Sequence, residues 1–327
     1  MAEVRFCQHP PRRYTGVLQA QDLPGWFRNL AMTMTDIPTS LKDAVGRMVV
    51  ADDVISAAPI AGLMAAFGHE DPHPGPGDAV PPLWHGLFCT AKLPPSRLGD
   101  DGLAKDEGLL PAAAGYPNKL FGGARFDFRR PLRIGDKIRK ESEVISFDLK
   151  EGRTGPFILG LIEHRVSNGE GIAVVEQNDI LYRAATVREQ SPSGDGQRGA
   201  SEPAPLPAEP IWSRTITPDA VLMFRHSAVT FNSHRIHYDR DYVREKGYPG
   251  LLVQGTLIAR LMLDMVAAGS PDFAVGAFSF RSGRPIYDDG DFTLGGAPTA
   301  DGQGVDLWAL DHAGRVGMTA KAQRAPA

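Results

Sequence analysis

Gly255-Thr-Leu-Ile-Ala-Arg-Leu-Met-Leu-Asp-Met-Val-Ala-Ala268 is apolar over most of a helical circumference. Leu257, Ile258, Leu261, Met262, Met265 and Val266 recur at helical spacing and leave Arg260 and Asp264, an i,i+4 pair, as one narrow polar strip. A helix of this kind must be almost wholly buried. The segments around it supply a wrapping: Trp212 to Ile216 reads as a strand, Thr217-Pro218 leads into a capped helix, and strand-like runs at Ala274 to Tyr287, Phe292 to Leu294, Val305 to Leu310 and Gly314 to Gln323 follow. This half therefore predicts a mostly antiparallel sheet around one buried helix.

The preceding half repeats the plan. Ser56 stands as the cap of a helix through Ile60, Leu63, Met64 and Phe67, with Pro59 tolerated in its first turn and Gly68 ending it. After an irregular stretch to Pro117, strand-like runs occupy Ala124 to Leu132, Asp136 to Leu149, Phe157 to Ser167 and Ile172 to Arg183, separated by turn-like pieces such as Ile134-Gly-Asp136 and Asn168-Gly-Glu-Gly171. The fold class is α+β, a double hot-dog fold with two antiparallel sheets each wrapped around a central helix, joined covalently as a pseudo-dimer. The expected domains are 42–183 and 211–325, with a linker at 184–210 that is rich in Ser, Gly and Pro. Residues 1–41 show no sustained period and read as an extension, with Met32 or Met34 as alternative starts. Glu3, Asp22 and the prolines speak against an organelle-targeting peptide there.

The 327 residues suit two domains. A formal net charge of −4 and the lack of any Lys/Arg run exclude a field that would gather nucleic acid or an anionic membrane surface, and no apolar stretch is long enough for a transmembrane helix. The partner expected is a small molecule. Cys7 and Cys89 are the only cysteines, which offers neither a disulfide framework nor a metal-ligand spacing and suits the cytoplasm. His234-x-x-His237 lacks the further ligands of a zinc motif, so no metal is expected.

The chemistry concentrates in Phe224-Arg-His-Ser-Ala-Val-Thr-Phe-Asn-Ser-His-Arg-Ile-His-Tyr-Asp239, followed by Tyr248-Pro-Gly-Leu-Leu-Val-Gln-Gly255. This segment resembles the MaoC-like, or type 2, enoyl-CoA hydratases, whose signature Ser/Thr-Gly-Asp-x-Asn-Pro-x-His falls on Thr230 through His237. Pro81-Pro-Leu-Trp-His85, Gly122-Gly-Ala-Arg125, Arg130-Pro-Leu-Arg-Ile-Gly-Asp136 and Asn178-Asp-Ile-Leu-Tyr-Arg183 extend the similarity to the two-domain branch, which includes mesaconyl-C4-CoA (3-methylfumaryl-CoA) hydratases, itaconyl-CoA hydratases and mitochondrial 3-hydroxyacyl-thioester dehydratases. The signature's histidine is kept at His237. Asn232 stands where it has a catalytic Asp, Phe231 where it has Gly, His234 for Asn and Arg235 for Pro.

The resemblance implies a hydro-lyase whose substrate, an acyl-CoA thioester, is bound without a cofactor; a homodimer of double hot-dog units is compatible with it. Its sharper form is hydration of 3-methylfumaryl-CoA (mesaconyl-C4-CoA); the alternatives are an itaconyl-CoA hydratase, a 3-hydroxyacyl-thioester dehydratase of fatty-acid synthesis, and a non-catalytic acyl-thioester binding protein on the same fold, against which the retained His237 argues. The roles it implies are His237 as the base that takes a proton from water and returns it, Asn232 as the amide that orients that water, and the N–H of Gly255 as donor to the thioester oxygen. Arg225, His234, Arg235 and Gln254 are assigned to the substrate. For His234 a loop hydrogen bond is an equal reading, and for Arg225 an ordinary salt bridge. Asp239 is expected to cap the helix that carries Tyr242 and Val243. Trp84 and His85 shape the acyl pocket or simply pack beneath a loop. Gly152-Arg-Thr-Gly155 and Gly295-Gly296 read as turns.

Overall fold

The computed structural model describes residues 37–70, 72–105, 108–152, 155–183 and 208–326. The expected extension up to residue 36 and the linker at 184–207 lie outside them. Ten strands form one sheet: β1 Met48–Val54, β2 Asn118–Phe128, β3 Lys137–Gly152, β4 Gly155–Asn168, β5 Gly171–Arg183, β6 Trp212–Ile216, β7 Val275–Ser282, β8 Phe292–Pro298, β9 Gly304–Leu310 and β10 Val316–Arg324. Their order is β1-β3-β4-β5-β2-β7-β10-β9-β8-β6, with every pairing antiparallel. Reading outward from the β2–β7 seam, each half has the same strand order, so the chain carries an internal pseudo-twofold.

The double hot-dog arrangement holds, and the two sheets expected are continuous. Gly123 to Asp127 of β2 pair with Arg281 to Ala277 of β7. A Cβ on Gly123 would lie 2.4 Å from the Phe280 carbonyl oxygen, so only glycine lets the strands meet there. On one face of the seam Phe126 stacks on Phe128 and Phe280, with ring centroids 6.0 and 6.3 Å away, and one hydrophobic core runs through both halves.

The helices are α1 Thr39–Lys42, α2 Ala57–Ala66, α3 Ala220–Val229, α4 Arg240–Glu245 and α5 Gly255–Gly269. The second half follows the sequence reading closely: α5 packs on β6, β8, β9 and β10, and residues 257–263, 265 and 266 are all buried. Asp219 caps α3 by accepting the Leu222 N–H at 2.8 Å. The polar strip of α5 faces the first half instead of water. Arg260 donates to the Leu83 carbonyl, while Asp264 accepts from Arg214 at 2.7 Å and pairs with His69.

The first half departs from the plan in how its sheet is covered. Its helix α2 packs mainly against α3 and the 3-10 turn Trp84–Leu87. Ser56 stands at its N-terminus without making a side-chain cap bond. Leu41, Ala44, Leu109, Ala113 and Tyr116 instead form a second core over Val144, Phe147, Ile158, Ile162 and Tyr182 of β3, β4 and β5. Leu41, fully buried in this second core, lies one residue before the expected bound at 42. Strand β1, unmarked by alternation at Ala51-Asp-Asp53, is an edge strand whose pairing comes from β3 alone. Gly295 and Gly296 lie inside β8 rather than in a turn; a Cβ on Gly295 would meet the Trp308 indole at 2.4 Å, and Trp308 is among the most deeply buried side chains.

Candidate active site

Helix α3 ends in a tight turn that carries the motif. Phe231 takes φ +53°, the left-handed region in which the signature's glycine would be unstrained. The Asn232 N–H closes on the Ser227 carbonyl at 2.9 Å, and its side-chain Oδ1 accepts the His234 N–H at 3.0 Å. That leaves the Asn232 amide NH2 as the donor for a ligand or water. Arg235–His237 then form a 3-10 turn, and Asp239 caps α4 by accepting the Tyr242 N–H, as expected.

His237 is buried, and its Nδ1–H donates to the Leu252 carbonyl at 2.7 Å. That bond fixes the tautomer: Nε2 is the unprotonated nitrogen. Burial pushes the imidazole pKa down to about 4; the Leu252 bond opposes the shift, and the neighbouring His234 adds to it. His234 meets His237 edge to face at 5.5 Å between centroids, and burial lowers its pKa as well.

The first half buttresses this turn. The Asp101 carbonyl accepts the Arg235 N–H at 2.8 Å, the Asp100 carbonyl accepts its guanidinium at 2.9 Å, and the Gly102 carbonyl accepts the Ser233 hydroxyl at 2.6 Å. Gly102 has φ +82°, and a Cβ there would collide with the Ser233 carbonyl oxygen. Arg235 is further held by Asp239 at 2.8 Å and lies over the Tyr242 ring, so this cation braces the turn and is not open to a substrate carboxylate. Arg225 is exposed, with no ion pair among the described residues.

Two residues after Leu252, Gln254 leads into α5. Its Nε2 donates to the Ser227 hydroxyl at 2.8 Å and the Met223 carbonyl at 3.2 Å, leaving a buried Oε1 without a partner. The first N–H groups of α5, beginning at Gly255, have no acceptor within the helix and carry its positive dipole end. A Cβ at Gly255 would make only ordinary contacts, 3.5 Å to Met318 and 3.7 Å to Ser282. No packing demand of the protein excludes a side chain at that position.

A polar core behind the site escaped the sequence reading. His226, fully buried on α3, meets the Arg260 guanidinium at 3.0 Å. Across the seam, His85 Nε2 lies 3.2 Å from Glu176; Asn178 donates to both Glu176 and His164, and His164 Nδ1 lies 2.7 Å from the Ser142 hydroxyl. Burial works against the Glu176 charge, yet the His85 hydrogen bond holds its carboxyl far below the usual carboxylate range, while burial drives His164 down to about 4. The polar residues at alternate positions 164, 176 and 178 of otherwise apolar strands were the available signal. His85 therefore lies in a charged network as well as packing edge-on to Phe126 and Phe128.

The family model for hydroxyacyl-thioester dehydratase type 2 matches residues 83–288, spanning both the first-half turn and the motif segment. The chain belongs to this family. Among its relatives, mesaconyl-C(4)-CoA hydratase of Chloroflexus aurantiacus is 38% identical over 83% of the chain and 92% of the relative. Mitochondrial hydroxyacyl-thioester dehydratase type 2 of Schizosaccharomyces pombe is 32% identical over 73% of the chain and 86% of the relative. In fold, the chain resembles a MaoC-like dehydratase from Phytophthora capsici, with a TM-score of 0.66 at 13% identity over 87% of this chain and 97% of the other. It also resembles a Mycobacterium tuberculosis protein described as a double hotdog fold, with a TM-score of 0.50 at 16% identity over 86% and 96%.

Proposed function

We propose that the protein is a hydro-lyase that adds water across the 2,3 double bond of an enoyl-CoA thioester, or removes it from the 3-hydroxyacyl thioester. One observation carries the reading: His237 is pinned through Nδ1 to Leu252, so Nε2 is a free base in a buried site beside the N-terminus of α5. Water held by the Asn232 amide gives one proton to Nε2, and its oxygen bonds to the β carbon. The π electrons move through the α carbon onto the thioester oxygen, where the Gly255 N–H and the helix dipole stabilise the enolate charge. The proton on His237 then passes to the α carbon, which restores the thioester. The free Oε1 of Gln254 suits the remaining O–H of the water or product. The CoA thioester brings all the chemistry needed, so no separate cofactor enters the scheme.

The finer reading is hydration of mesaconyl-C4-CoA, supported by the 38% identical relative of that name. The assay follows loss of the conjugated enoyl thioester with mesaconyl-C4-CoA, itaconyl-CoA and crotonyl-CoA, and the reverse reaction with 3-hydroxyacyl thioesters. Turnover of at least one, abolished in a folded His237→Ala variant, is the expected result. Turnover of none, or full activity of His237→Ala, overturns the assignment.

A further inference from the structure

Arg260 projects from α5 into the protein interior, 5% exposed, and no carboxylate lies within ion-pair distance of it among the described residues. Its Nε and Nη2 share the Leu83 carbonyl at 3.3 Å, and its Nη1 meets His226 Nε2 at 3.0 Å. Glu176, the acidic group whose field reaches it, is already engaged by His85 and Asn178. The pairing with His226 is chemically one-directional. A guanidinium has no acceptor, so His226 Nε2 must accept, and the single proton of the neutral ring sits on Nδ1. That Nδ1–H is fully buried and has no partner. Desolvation, then the Arg260 charge, keep the ring neutral. The structure thus holds a cation without a counter-ion, and in front of it a donor without an acceptor.

His226 lies at the base of the motif turn. The His226 carbonyl accepts the Thr230 N–H, the next residue's carbonyl accepts the Asn232 N–H, and the Ser227 hydroxyl receives Gln254. Of the other arginines near the motif, Arg235 is tied to Asp239 and Arg225 points outward, whereas Arg214 is held by Asp264.

We infer that His226, backed by Arg260, receives the free carboxylate of a dicarboxylic enoyl-CoA; this rests on the hydratase reading above. A carboxylate oxygen accepts the Nδ1–H, and its charge offsets the buried guanidinium through the polarised imidazole. An acyl chain ending in a methyl group leaves the donor and the cation uncompensated. A site built around a hydrogen bond discriminates strongly against the analogue that lacks the group. His226 is therefore a specificity-determining residue, and Arg260 positions it by fixing its tautomer.

The test compares kcat/KM for mesaconyl-C4-CoA and crotonyl-CoA in the full chain, His226→Phe and His226→Asn. The wild type is expected to prefer the dicarboxylic ester. His226→Phe should lose about tenfold or more on mesaconyl-C4-CoA, mainly through KM, while crotonyl-CoA turnover changes less than about threefold. His226→Asn, which keeps an N–H donor, should recover part of the loss. Equal losses on both esters, in either variant that folds, would show a structural role and overturn the inference, as would unchanged preference. Wild-type hydration of crotonyl-CoA with none of the dicarboxylic ester overturns this inference alone and leaves the hydratase reading standing. Turnover of no thioester overturns both.

Discussion

If His237 is the base, the pH dependence of the reaction should be displaced far to the acid side. Burial holds its pKa at about 4 against an ordinary histidine value of 6.5. An ordinary imidazole would be only about one-tenth deprotonated at about pH 5.5, and kcat/KM would fall roughly tenfold from its plateau. The His237 ring stays about 97% in its base form there, so kcat/KM should be flat within measurement error down to about pH 5 and half-maximal near 4. The same burial weakens the fold in acid. His164 and His237, both depressed to about 4, and His226, depressed well below the ordinary histidine value, bind protons more readily when unfolded than when folded. The stability contributed by His164 and His237 is fully present above about pH 6.5 and is lost as pH falls through 4, up to about 3 kcal/mol for each of these two. Rates should therefore be read in the first seconds after a pH jump, with denaturant melts run in parallel at each pH. An acid limb centred near 6.5 in a protein still folded would refute the buried, tautomer-fixed base.

Three substitutions probe the surroundings of that base. Gly255→Ala has room for its Cβ within the protein, so stability should match the wild type or rise by up to about 1 kcal/mol while kcat falls because the added methyl crowds the thioester; a melting temperature that drops with activity would show that the glycine serves the fold instead of the substrate. Gly102→Ala forces a clash with the Ser233 carbonyl and should lower kcat at least about tenfold by shifting the catalytic turn, despite lying in the other half of the chain; unchanged steady-state kinetics would show that the buttress is dispensable. Phe231→Gly relieves a left-handed conformation at an exposed side chain and should stabilise the fold by up to about 1 kcal/mol in chemical denaturation, whereas a loss larger than that would mean that Phe231 packs against something.

Periodicity alone was enough for the second half. The apolar positions from Leu257 to Val266 admit one arrangement, a buried helix, and β6 and α5 fall within a residue of the expected bounds. The capping role of Asp239 was likewise legible, because its partner Tyr242 is three residues away, whereas the Leu252 carbonyl that holds His237 lies fifteen residues along the chain. The covering of the first sheet was not legible. Leu41, Leu109 and Tyr116 show no period, and only the exposed apolar face of β3, β4 and β5 gives them a reason to pack.

The repeated α+β plan and the motif turn that carries His237 were legible in the chain, since apolar spacing and the caps and turns of the motif are local. Only the tertiary structure decided which polar residues are free. Arg235 and Arg260 look alike in one dimension, but folding places Asp239 and the Asp100 carbonyl around the first and, among the described residues, no carboxylate within ion-pair distance of the second. It likewise decided that the polar strip of α5 meets Leu83, Arg214 and His69 rather than water, and that Gly102, about 130 residues upstream, supports Ser233. These are contacts of long sequence separation. Their partners are chosen by the pairing of β2 with β7, which no local pattern encodes.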